Sequence, residues 1–205
     1  MSNLIIVSAD CHAGAQPETY REYLPEKFKV AADEWWANFE AEQMKRVGTF
    51  FDQEAQEGYD KSAAVMAGGT AGEWDPAIRL RELEADGIVG EIIFPQMAPF
   101  GAGLMQYRRA VPPDQNLAGL QSYNRWLADL CGAHPGRHAG VALINVDDID
   151  VSVREIEWAR ENGLFGGVLL PAGTGEHQYY HDPRYEPIWS VCEELGMPVH
   201  AHSGW

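Results

Sequence analysis

The sequence is short of positive charge: 15 Lys and Arg face 31 Asp and Glu, a formal net charge of −16 over 205 residues. Clustered cations are what hold phosphate backbones and anionic lipid, so this balance argues against nucleic acid or a membrane surface as partner. A small anionic substrate stays admissible, because a few local arginines override the overall field. Long apolar runs are missing as well. Residues 4–7 and Gly167–Leu170 are among the longest apolar stretches, far below the ~20 residues that span a bilayer. The N-terminus lacks a basic segment followed by an apolar region, so no secretory leader is expected. Cysteine is scarce too; three, scattered and odd in number, make no disulfide framework. The chain is expected to be soluble and cytoplasmic, with a small molecule as its partner.

What the sequence does have is alternation. Short apolar strands at residues 4–9, 90–94, 140–144, Gly167–Leu170 and 198–202 are separated by amphipathic helices. Near-continuous apolar strands are the pattern of parallel strands buried on both faces. Asp75-Pro76 and Asp182-Pro183 each set a capping carboxylate before a proline at the first helical position. Ile188, Val191, Cys192 and Leu195 fall on one buried stripe at i, i+3, i+4, i+7. Leu120, Tyr123, Leu127, Leu130 and Cys131 trace another. Gly87, Gly163 and Gly196 stand where left-handed caps would end helices just before a strand. Strand–helix units joined by right-handed crossovers build an α/β parallel sheet or barrel. Between the first two strands lies a long aromatic-rich stretch that includes Trp35, Trp36 and Phe39. It is predicted to be a helical insertion at about 18–72, over the barrel mouth or at a subunit contact.

The chemistry-bearing residues sit at strand ends. The first strand ends Ser8-Ala9-Asp10-Cys11-His12, and because side chains alternate along a strand, Asp10 and His12 share a direction that Cys11 does not. At the C-terminal end of a barrel strand that direction is inward, where the active sites of such barrels form. A carboxylate and an imidazole so placed suit a divalent ion, zinc first, manganese or iron(II) next. The fifth strand repeats the spacing with His200 and His202. Asp10, His12 and His202 are expected to bind metal; the bland reading is a capping aspartate and histidines that satisfy backbone groups. His200, one layer deeper, is a further ligand, a partner to a ligand or a hydrogen-bonded core histidine. Cys11, Cys131 and Cys192 are expected as small packing residues. In the loops after the strands, Arg108 or Arg109 would clamp a substrate carboxylate and His177 would polarise or protonate substrate. Solvated surface side chains are the bland alternative for both.

Four segments together resemble the amidohydrolase-related branch of the amidohydrolase superfamily, which includes aminocarboxymuconate-semialdehyde decarboxylase and the resorcylate decarboxylases. They are Ser8 to His12, Arg79-Leu80 through Asp86-Gly87 to Phe94-Pro95, residues 163–171, and Asp182-Pro183-Arg184-Tyr185 through Pro198 to His202. The resemblance implies a TIM (β/α)8 barrel with first-strand ligands at Asp10 and His12 and a fifth-strand ligand at His202 rather than His200. It also implies a sixth-strand histidine and an eighth-strand aspartate. Neither is in the sequence, which stops at Trp205 directly after the fifth strand. A complete barrel of this type takes about 250 residues, so residues 1–205 are expected to be a barrel truncated after five strand–helix units.

The function expected from these residues is that of a metal-dependent hydrolase, using a metal-activated water on a small carboxylate-bearing or cyclic compound. A metal-dependent non-oxidative decarboxylase, a carboxy-lyase, is the alternative. A fragment without activity, lacking strands six to eight, is a third. The aromatic insertion and the resemblance also imply a homodimer.

Overall fold

A computed structural model describes residues 4–50 (side chains to 41), 71–102, 111–171 and 179–202. Five strands lie side by side in chain order, every neighbouring pair parallel. They are β1 (Ile6–Ala13), β2 (Ile88–Pro95), β3 (His138–Leu143), β4 (Gly167–Leu170) and β5 (Val199–Ala201). The helices between them are α1 (Pro17–Tyr23), α2 (Glu26–Phe50), α3 (Pro76–Ala85), α4 (Pro113–Ala133), α5 (Ile149–Glu161) and α6 (Glu186–Leu195).

Local sequence explains these elements. The Asp75 carboxylate accepts hydrogen bonds from the Ala77 and Ile78 amides and so starts α3. Asp182 caps a 3-10 turn, Pro183–Tyr185, before α6 begins at Glu186, so the α-helix starts later than the Asp-Pro pair suggests. Gly196 ends α6 at φ +63, the left-handed cap that costs other residues a clash at Cβ. The stripes meet the sheet as their spacing requires. Leu120, Tyr123, Leu127, Leu130 and Cys131 of α4 are buried with Ile188, Val191 and Cys192 of α6 in one core.

The outer strands depart from the expected pattern. β3 and β4 are buried almost throughout, but Leu4, Ile5, Ile6 and Val7 are 84, 79, 45 and 56 % exposed, and Val199 is 41 % exposed. An apolar run is buried on both faces only where helices or other strands pack over those faces. β1 and β5 are the two edges of the sheet among the described residues. β1 also runs on to Ala13, because His12 and Ala13 pair with Phe94 and Pro95.

The sheet curls. Four inter-strand spacings would hold the tips of β1 and β5 roughly 19 Å apart in a flat sheet. Yet the Asp10 carboxylate, in the C-terminal half of β1, lies 3.2 Å from His202 Nε2, just past β5. Only a sheet wrapped into part of a barrel wall brings opposite edges that close.

Of the insertion expected at 18–72, the structure describes α1, α2 and the Ala71–Glu73 turn; residues 51–70 lie outside the described ones. Trp35 stacks on Phe39 with ring centroids 5.1 Å apart, and Trp36 lies parallel to Tyr20 at 6.5 Å. Phe100, in the turn after β2, takes φ +62, a costly conformation for an aromatic residue. Burial with Leu24, Phe28, Ala32 and Ala118 holds it there. Across this turn Gly119 of α4 packs so closely that a Cβ would strike the Pro99 carbonyl oxygen. That oxygen accepts from Ala102 N within the turn and is not free to retreat. Gly119→Ala is therefore expected to lower stability by about 1–3 kcal/mol through overpacking, outweighing the roughly 1 kcal/mol that alanine gains in helix propensity. A urea midpoint at or above the wild-type value would contradict this.

Candidate metal centre

The tip of β1 is built around a bulge. Ser8 pairs with Glu91 and Cys11 with Ile93, so three steps on β1 oppose two on β2. The extra residue turns Ser8 and Cys11 to one side of the strand, where the Cys11 thiol donates to Ser8 Oγ at 3.0 Å. Asp10 and His12 turn to the other. There the Asp10 Oδ1 atom lies 3.4 Å from His12 Nε2 and 3.2 Å from His202 Nε2. The ligand atoms of Asp10, His12 and His202 all fall within 4.8 Å of one another. The two imidazoles stand edge to face with centroids 5.1 Å apart.

Hydrogen bonding fixes what these rings offer. His12 Nδ1 is 3.1 Å from the Pro95 carbonyl oxygen, which can only accept. Nδ1 is therefore the donor in this contact, and in the neutral ring Nε2 is the atom left to ligate. That atom faces a carboxylate oxygen. One carboxylate with two imidazoles so placed is a donor set that zinc, manganese or iron(II) accepts. His202 Nδ1 is buried with no partner among the described residues, so its Nε2 is the atom turned to the cluster. The Asp10 side chain is 67 % exposed, which leaves an approach from solvent.

Phe94 forms the buried wall behind the cluster. Its ring centroid lies 4.9 Å from His202, 5.2 Å from His200 and 6.2 Å from His12. His200 is not part of the grouped ligand atoms. It pairs with Leu169 on β4, and its Nε2 lies 2.7 Å from the Gly166 carbonyl oxygen. His177 and Arg108, with Arg109, lie outside the described residues.

A second cluster stands on the outer side of β1, and nothing in the sequence reading assigned it a role. Arg79 of α3 grips Glu91 of β2 with two prongs, Nε to Oε1 at 2.5 Å and Nη2 to Oε2 at 2.8 Å. Its Nη1 donates to the carbonyl oxygens of His12, at 3.1 Å, and Gly72, at 2.9 Å. His138 of β3 reaches Glu91 Oε1 through Nδ1 at 2.8 Å. Arg79, Glu91 and His138 are all buried. Burial alone would raise the Glu91 carboxyl, but the hydrogen bonds from His138 and Arg79 and the Arg79 charge pull it down to about 2. The available signal was a lone glutamate inside the apolar run Ile88–Pro95.

The loops at the strand tips are tied together. Tyr20 of α1 donates through its hydroxyl to the Met97 carbonyl at 2.7 Å and accepts from Ala15 N at 3.0 Å. Gly14 N donates to the Glu73 carbonyl oxygen. Burial raises the Glu73 carboxyl, against the opposing pull of Arg79 and His12. The cysteines do not look like nucleophiles. Burial pushes the Cys131 and Cys192 thiols up to about 12 and about 11, and raises the half-buried Cys11. Among the described residues no helix is long and apolar enough to cross a membrane.

A curled parallel sheet with helices outside and ligand-type side chains meeting at its strand tips is the (β/α)-barrel class of enzyme fold. A family model described as "Amidohydrolase" matches residues 9–205, and the chain belongs to that family. A γ-resorcylate decarboxylase from Rhizobium sp. (strain MTP-10005) is 27% identical over 129 residues, 60% of this chain and 37% of that enzyme. Among solved structures, an amidohydrolase from Mycobacterium avium subsp. paratuberculosis K-10 superposes with a TM-score of 0.67 at 14% identity, over 100% of this chain and 60% of the other. A 5-carboxyvanillate decarboxylase from Novosphingobium aromaticivorans, complexed with manganese and 4-hydroxy-3-methoxy-5-nitrobenzoic acid, gives 0.59 at 18%, over 97% of this chain and 50% of the other. The match to the curated relative thus spans little more than a third of its length.

Proposed function

We propose that this chain belongs to a metal-dependent non-oxidative decarboxylase acting on a hydroxylated aromatic carboxylate. The observation that carries the reading is the meeting of Asp10, His12 and His202 across the curled sheet with their acceptor atoms turned inwards. The matched relatives support this alternative better than the hydrolase reading, since both the curated relative and the manganese-bound neighbour are decarboxylases of hydroxybenzoate-type acids. A divalent cation, manganese by that analogy, would supply a Lewis acid for the substrate carboxylate and a neighbouring phenolic oxygen.

The chain's own groups have separate tasks. Asp10, His12 and His202 would hold the cation, with His12 kept in the ligating tautomer by Pro95. The Phe94 ring, buried behind the cluster, would back the imidazoles of His12 and His202. Arg108 would grip the carboxylate, and His177 would deliver the proton. In the reaction the aryl–carboxylate bond breaks, its electron pair stays on the ring carbon, that carbon takes up a proton, and carbon dioxide departs.

The test supplies 2,6-dihydroxybenzoate and a lactone, each with manganese, to the protein. Carbon dioxide and resorcinol from the first, with the lactone untouched, is the expected result. Lactone hydrolysis without carbon dioxide release would reverse the assignment.

A further inference from the structure

We infer that Arg79 is a positioning residue of the candidate metal centre, setting the backbone of His12 from behind the strand; the inference rests on the metal reading of that site. β1 pairs with β2 on both sides of a bulge: the ladder is interrupted between Ser8 and Cys11, the stretch that carries Asp10, and resumes at Cys11, His12 and Ala13. Arg79 Nη1 takes hold just past the break. It donates to the His12 carbonyl oxygen at 3.1 Å and to the Gly72 carbonyl oxygen at 2.9 Å, joining the strand tip to the turn whose Glu73 carbonyl accepts from Gly14 N.

The guanidinium is itself immobilised. Glu91 holds it on two atoms, and His138 holds Glu91. The Arg79 and Glu91 side chains are only 8 and 1 % exposed. A buried ion pair is weak support for stability compared with apolar residues of the same size, and its better-attested use is to select one geometry. Here the selected geometry is that of the backbone carrying the His12 ligand. Only a planar fork serves two carboxylate oxygens and two carbonyls at once; a lysine ammonium is a point donor on a flexible stem.

The experiment measures manganese binding to the 205-residue chain by the electron paramagnetic resonance signal of free Mn2+, with thermal unfolding recorded in parallel. Four proteins are compared: wild type, H12A, R79K and N124A. Asn124 is a buried residue of α4 that bridges the Leu143 backbone and Glu155, so its loss lowers stability without touching β1. The expected result is that R79K stays folded and binds manganese about 10–100-fold more weakly, the range seen when hydrogen-bond partners of metal ligands are lost. N124A should bind as wild type does despite a lower Tm. Wild-type affinity in R79K, or equal weakening in R79K and N124A, overturns the positioning role while leaving the metal site intact. No binding by wild type, or unchanged binding in H12A, removes the site and the inference together. Should R79K fail to fold, E91Q, which frees the fork but keeps Arg79, must show the same weakening, and wild-type affinity in E91Q overturns the inference.

Discussion

Asp10→Ala combined with His12→Ala is expected to leave the protein without bound manganese after gel filtration, while the wild-type chain retains it. The two residues supply two of the three donors, both from one strand, and His202 alone would remain as a single imidazole. Losing only a hydrogen-bond partner of a ligand costs 10–100-fold in metal affinity, so losing two direct donors should cost on the order of 10^3-fold or more. Folding should suffer far less. Asp10 is exposed, and the main protein hydrogen bond His12 forfeits is the one to the Pro95 carbonyl, worth about 1 kcal/mol. Elemental analysis of both proteins, with a thermal melt for each, separates a lost ligand set from a lost fold. Equal metal content in the two would remove the site.

Glu91→Ala should be strongly destabilising, by about 3–5 kcal/mol, because it strands the buried Arg79 charge without a counter-ion. The partner prediction concerns pH. The groups facing the Glu91 carboxyl are Arg79 from α3, His138 from β3 and Cys11 from β1. Together they hold it at about 2 in the folded chain, against an ordinary value of 4.5. A carboxyl lowered by folding stabilises the fold fully above its unfolded value and loses that contribution as pH falls through its folded value. The shift corresponds to roughly 3 kcal/mol, in line with the cost expected from stranding Arg79. Urea midpoints of wild type and Glu91→Gln should differ most near pH 7 and converge as the pH approaches 2. A gap of constant size across that range would refute the assignment. Replacing both members, Arg79→Met with Glu91→Leu, should restore much of the loss, since a matched apolar pair often equals or exceeds a buried ion pair.

Much of the architecture could be read from periodicity, because helix stripes and buried strands leave local marks. Ile188, Val191 and Cys192 are buried as their spacing demands, and β3 and β4 fall where the apolar runs do. Strand parity also put Asp10 and His12 on one side. What periodicity cannot carry is anything set by distant chain. The bulge that faces Ser8 and Cys11 the same way depends on β2. The bond from His200 to Gly166 needs the foot of β4 beside β5. The contact between Arg79, Glu91 and His138 spans three elements, and its only local trace is a charge in an apolar strand. Among the described residues, 4–7 are exposed on an edge of the sheet, which no property of those four side chains encodes.

One phenol joins two rims of the structure. By donating to Met97 and accepting from Ala15, the Tyr20 hydroxyl couples the segments that follow β1 and β2. Neither can swing away without breaking that tether, so the lips beside Asp10 and Phe94 travel as a unit. Tyr20→Phe would remove that link while the Gln96 N–Ala13 O bond remains, and faster amide exchange should then appear at both Ala15 and the residues around Met97, not at one alone.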